Sequence, residues 1–260
     1  MLTILIHSSK TMRPAEKLGA SYQAPALLKQ AKQLASYLRT VPAEELQPAM
    51  QLSGTMAEKT HELLVNWSAN PDVQRPAIDA FLGDIYSGLQ VQTFSPADRA
   101  YANKRLFILS GLYGVLRALD SIHPYRLEMG YRLPDEPYKN LYKFWGNEIA
   151  NKLPACTIIN LSAVEYTKAV LPYLPDAPVI TPKFLTVSPK TGEPTFVTVH
   201  AKVARGAFAR WLIQNKIENS DDITQFQDIG YSYNAKLSTP EQPVFVCETF
   251  EGIGLSVRLT

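Results

Sequence analysis

The chain has 260 residues, 46% hydrophobic and 19% charged, with a formal net charge of +2. This balance excludes an intrinsically disordered chain, and the near-neutral total means that composition alone names no polyanionic partner. No run of about 18 apolar residues occurs, so neither a membrane span nor a membrane partner is predicted.

Residues 2–6 open the chain as a continuous, β-branched apolar strand. The run is too short for a signal-peptide core and gives way at once to Ser8, Ser9 and Lys10, so the cytoplasm is the expected compartment. Helical periodicity over 24–39 places Leu27, Leu28, Ala31, Leu34, Ala35 and Leu38 on one face. Pro42 opens a short helix, another is predicted over 55–67, and Pro76 starts a fourth with Gly88 as its left-handed cap. Ser95-Pro96 reads as a cap with proline at the first helical position. A second buried strand covers 106–109. Helix is predicted over 138–153, a third strand over 156–161 and a short helix over 164–171. Strands over 179–185 and 195–200 flank a turn at 188–193. A helix over 201–216 and strands over 244–250 and 255–259 complete the reading. Alternating helices and strands predict an α/β fold, with a mixed, largely parallel sheet surrounded by helices. One domain is expected over 1–260, with 20–100 packed as a helical subdomain. Cys156 and Cys247 lie in apolar runs and are expected to be free thiols.

Four predicted strands end in polar residues. The first runs into Ser8 to Thr11, the second into Ser110-Gly111, the third into Asn160 and Ser162, and the strand over 195–200 into His200, Lys202 and Arg205. In open α/β sheets, ligands bind beyond the strand carboxyl ends. Parallel strands therefore bring these four ends to one edge. The ordinary alternative is that strands simply end in polar loops.

Ser110, Gly111 and Gly114 form a glycine-punctuated turn with backbone N–H groups to offer an anion. It is neither a P-loop nor a G-x-G-x-x-G motif. Lys104, Arg105, Arg117, Arg126 and Arg132 cluster against only Asp120 and Glu128, and Lys202, Arg205, Arg210 and Lys216 follow one another with no acid between. Arginine forks bind phosphate or carboxylate; the same residues also serve as solvated faces or pair with Asp120 and Glu128. No metal-ligand spacing occurs, so no metal and no cofactor are predicted. His7 and His200, both near predicted strand ends, are the sole conceivable histidine pair.

On these residues the chain resembles the YaaA family, bacterial proteins linked to peroxide stress. The resemblance is carried from Lys10-Thr11 through the stretch Gly83 to Leu89, Leu109 to Asp120, Pro124 to Gly130, Leu141 to Gly146, Asn160 to Ser162 and Glu165-Tyr166, to Ala201-Lys202 and Ala204 to Gly206. It implies a cytosolic protein that limits hydrogen peroxide damage through control of free iron. It also implies a positively charged cleft and double-stranded DNA binding through a helix-hairpin-helix-like element, which falls here on 111–120. The chain departs from the family pattern in three places. Gly111 and Gly114 are three apart rather than two, His7-Ser8-Ser9 replaces the usual Ser-Pro-Ala, and Ala118 stands where proline is common.

Two functions follow. In the first, Lys10, Arg117, Arg126, Lys202 and Arg205 neutralise DNA phosphates, assisted by Ser110, Gly111 and Gly114, with little sequence preference. In the second, the same cleft takes a small anionic ligand, a phosphorylated or nucleotide-like substrate. Lys10, Asp84, Tyr113, Glu128, Glu165 or Tyr166 then supply acid, base or nucleophile.

Overall fold

The computed structural model describes residues 1–17 and 22–254. The central sheet consists of β1 (Leu2–His7), β2 (Leu106–Ser110), β3 (Gly114–Arg117), β4 (Thr157–Asn160) and β5 (Val179–Ile180), in the order β5-β4-β1-β2-β3. β1, β2, β4 and β5 are parallel, and β3 returns antiparallel to β2. β1 and β2 are apolar without alternation because both sheet faces are covered. Leu5 faces Asn160 and His7 faces Leu109, so the polar ends of β1, β2 and β4 meet on one edge. The chain leaves β1 toward β2 on one side and later reaches β4 on the other. β1 is therefore the switch point of the sheet.

The helices that matter for position are α1 (Leu28–Leu38), α2 (Ala43–Ala49), α3 (Gly54–Val65), α4 (Asp84–Leu89), α5 (Pro96–Arg105), α6 (Leu141–Trp145), α7 (Val164–Thr167) and α8 (Thr198–Gln214). α1 buries Ala31, Leu34, Ala35 and Leu38, the face its periodicity predicts. α5 starts in a capping box: Ser95 Oγ accepts the Asp98 N–H at 3.1 Å, and the Asp98 carboxylate accepts the Ser95 N–H at 3.0 Å. A second sheet, β6 (Lys183–Val187), β7 (Pro194–Thr195), β8 (Tyr231–Tyr233) and β9 (Val244–Cys247), has the order β7-β6-β9-β8 with only β6 and β9 parallel.

Several elements differ from the sequence reading. The helix predicted over 138–153 stops at Trp145, because Gly146 adopts φ 47° and breaks it. The helix opened by Pro76 is interrupted: Phe81–Leu82 pair with Thr11–Met12, and Gly83 turns the chain at φ 120° before α4 begins. The strand over 195–200 shortens to β7 and α8 starts at Thr198, so His200 lies on a helix rather than at a strand end. The reason is register, since only Thr186 and Val187 find partners across that hairpin. The stretch 111–120 forms no helix-hairpin-helix-like element. It turns at Gly114, with φ 68°, into β3, whose residues pair with β2. The strand predicted over 255–259 lies outside the described residues. Cys156 and Cys247 are free.

α4 and α8 cross at backbone contact. A Cβ on Gly88 would lie 2.0 Å from the Val203 carbonyl oxygen, and one on Gly206 would lie 1.9 Å from that of Ile85. Gly88 is thus a packing residue. The left-handed cap of α4 is Gln90, at φ 45° and ψ 53°. This crossing fixes Lys202 and Arg205 of α8 relative to Asp84 and Tyr86 of α4.

Candidate functional site

At the carboxyl end of β1, His7 accepts the Ala163 N–H through Nδ1 at 3.1 Å, and its ring stacks on Tyr166 with centroids 4.8 Å apart. With Nδ1 accepting, the neutral ring carries its proton on Nε2. Burial, followed by the charges of Arg205 and Lys202, lowers the His7 pKa to about 3. The Tyr86 hydroxyl donates to the His7 carbonyl at 2.9 Å, tying α4 to the same strand end.

Beside His7 runs a line of buried hydroxyls. Ser110 Oγ accepts the Tyr113 N–H at 2.9 Å and lies 2.6 Å from the Tyr125 hydroxyl. Tyr125 lies near Ser8, whose Oγ is 3.2 Å from the Tyr166 hydroxyl, and Tyr166 lies near the Glu128 carboxylate. Within these hydroxyl pairs either oxygen can donate. Burial raises the Glu128 pKa, while Lys10, the Tyr166 hydroxyl and Arg126 pull it down and Glu165 raises it further.

Glu128 opens into a cavity of about 310 Å³ at this edge. The β1 loop contributes His7 through Thr11 to its wall, the start of α4 contributes Gly83 to Tyr86, and α8 contributes Lys202. A larger cavity of about 400 Å³ adjoins it across Leu82, Gly83 and Tyr86. Arg205 lines a smaller cavity of about 200 Å³ with Lys183 and Phe196. Burial lowers its pKa.

Of the sequence-predicted residues, the structure brings Lys10, Lys202 and Arg205 around His7, with Arg126 beside Glu128. Arg126 also hydrogen-bonds Tyr131, and its Nε is buried without a partner. Ser110, Gly111 and Gly114 are fully buried. Gly111 lies against the Leu127 carbonyl, which a Cβ would approach to 2.4 Å, and Gly114 packs against Leu27 and Trp145. Arg117 is not brought to this edge. It pairs with Phe107 at the opposite end of β2, bonds Asp120 at 3.3 Å, and lines a separate cavity of about 190 Å³. His200 stacks on Phe250, with centroids 3.9 Å apart, and hydrogen-bonds Thr186 at 3.0 Å. It forms no pair with His7. No group of three or more His, Cys, Asp and Glu suited to a metal occurs among the described residues. Sequence reasoning placed Ser8 in the polar end of the first strand but assigned no role to it or to Tyr125, whose sequence signal was its place in the Pro124 to Gly130 stretch.

An open, mixed α/β sheet with a charged cavity at its switch point, beyond the carboxyl ends of its parallel strands, places this chain among the α/β proteins. The family described as peroxide stress protein YaaA matches residues 2–237. The chain is also 56% identical over 258 residues to a "UPF0246 protein" of Salinispora tropica, an alignment covering 99% of this chain and 98% of that one. The chain belongs to the YaaA peroxide stress protein family. No helix among the described residues is long and apolar enough to cross a membrane.

Proposed function

We propose that this protein helps limit damage by hydrogen peroxide and free iron, and that it binds double-stranded DNA with little sequence specificity through Lys10, Arg126, Lys202 and Arg205. The observation that carries the reading is Arg205, a half-buried guanidinium set near Lys202 and His7. Two cations held close together favour an incoming anion, and guanidinium geometry matches phosphate. His7 stays neutral beside it, donating from Nε2 without adding a charge that repels Arg205.

Four phosphate contacts predict a log–log salt slope of about −3.6, or roughly a 100-fold loss of duplex affinity between about 50 and 200 mM salt. The Lys202→Ala, Arg205→Ala double variant should halve that slope. Fluorescence anisotropy on a labelled duplex measures both, and a flat salt dependence refutes the reading.

A second reading is favoured by one observation: the buried Glu128 carboxyl, near Tyr166 on one side, shares the cavity with Lys10. We infer from it an acid–base site for a small phosphorylated substrate. A ligand present at 100 times its Kd stabilises by about 2.7 kcal/mol, so a thermal-shift screen of nucleotides and sugar phosphates tests this directly. Absence of any shift counts against it.

A further inference from the structure

The two adjoining cavities differ in chemistry. The first, of about 310 Å³, is lined by Lys10, Lys202 and His7 together with the carboxylates of Asp84 and Glu128; the second, of about 400 Å³, lies across Gly83 from it. Glycine keeps that ridge low, since a Cβ there would come within 3.0 Å of Ser9 Oγ. Ile78, Phe81 and Val91 give the second cavity apolar surface, Arg13 and Asp79 line it with charge, and Ser87, Gln90 and Gln92 contribute polar residues to its wall. Gln90 is held in the left-handed region at φ 45°, a conformation that costs a non-glycine residue about 1–2 kcal/mol. The turn that sets this amide at the cavity is therefore imposed by its surroundings rather than by local preference.

An amide side chain offers a donor and an acceptor side by side, the pattern that matches the edge of a nucleobase. Apolar surface beside it suits a planar ring. Each cavity alone reaches the lower end of the size of small-molecule sites, and both are needed for a ligand with one charged and one heterocyclic end. A sugar phosphate would use the first cavity and leave the amides of the second unpaired.

We propose that the two cavities form one bipartite site for a nucleoside phosphate, with the phosphate at Lys10 and Lys202 and the base against Gln90 in the second cavity. This rests on the reading of the first cavity as a phosphate site and names its ligand class. The ligand is a free mononucleotide. In duplex DNA the base edges are paired and stacked, so they are not free to enter a cavity of this size.

Isothermal titration of the full chain with ribose 5-phosphate, pyrophosphate and the four common nucleoside 5′-monophosphates provides the test. At least one nucleotide should bind tenfold or more tightly than ribose 5-phosphate. Ser87→Trp, which fills the second cavity, should remove that advantage while leaving ribose 5-phosphate affinity unchanged. Gln90→Gly deletes the amide and relaxes the backbone, so it folds and should lose the advantage as well. Lys202→Ala should weaken both ligands. Equal affinity for nucleotide and ribose 5-phosphate overturns the proposal, as does an advantage that survives Gln90→Gly. If no phosphate compound binds at all, the phosphate-site reading itself fails, a result distinct from loss of base recognition alone.

Discussion

Replacing Gly206 with alanine tests the helix crossing on which the site is built. In an isolated helix the change is favourable by about 1 kcal/mol, because alanine loses less conformational freedom than glycine. Here the added Cβ lies 1.9 Å from the Ile85 carbonyl oxygen and 2.7 Å from the Leu89 nitrogen, about 1.5 Å inside ordinary contact. Both neighbours are backbone atoms of α4, so no side chain can swing away. α4 must move as a body from α8, and overpacking of this kind costs about 3 kcal/mol. The net expectation is a loss of about 2 kcal/mol, or a fall in Tm of about 4–8 °C for a chain of this size. Urea unfolding gives the free energy, and Gly54→Ala is the control, since nothing lies within 4 Å of its added Cβ. Because α4 carries Asp84 and Tyr86 while α8 carries Lys202 and Arg205, pyrophosphate affinity should fall with the stability. A Gly206→Ala protein as stable as wild type, or more stable, refutes the reasoning, since propensity would then have outweighed the crossing.

Three further outcomes are expected. The His7 pKa is lowered to about 3, so between that pH and about 6.5 the unfolded chain binds a proton that the native state does not. Stability should therefore fall as pH drops through this window, by about 4–5 kcal/mol in full. Asp120 and Glu128, both raised by burial, act in the opposite sense, so the His7 part is read as the difference between wild type and His7→Gln in urea melts at several pH values. Identical pH slopes for the two proteins would exclude it. Arg117→Ala should leave the salt slope of duplex binding unchanged while Lys202→Ala reduces it by about one, because the two residues sit at opposite ends of the sheet. Equal effects would contradict that placement. Ser95→Ala should cost about 1 kcal/mol in urea unfolding through loss of the capping box, and a change below about 0.3 kcal/mol would refute the cap.

Much of the local structure was legible in the residues. β1, β2, α1 and the Ser95 cap follow from continuous apolar runs, 3.6-residue periodicity and capping chemistry, all of which act within a few residues. The meeting of the polar ends of β1, β2 and β4 at one edge also followed, because parallel strands share a carboxyl end. Where the reading failed, distant partners decided the outcome. Phe81–Leu82 left their predicted helix because Thr11–Met12 lie opposite, and the 195–200 strand shortened because β6 offers it two partners.

The basic residues divide on the same principle. Their sequence neighbourhood placed Lys10, Lys202 and Arg205 near predicted strand ends and Arg117 and Arg126 in a basic stretch, local properties of composition and pattern. Only the antiparallel return of β3 carried Arg117 away from the edge, and only the close crossing of Gly88 and Gly206 set Lys202 and Arg205 beside His7. Ser110, Gly111 and Gly114 read as an anion-binding turn, yet packing against Tyr125, Leu127 and Trp145 buries them. Charge and propensity reside in single residues and short windows. Burial, partner identity and the neutrality of His7 are properties of the neighbours that the fold supplies, some more than 150 positions away along the chain.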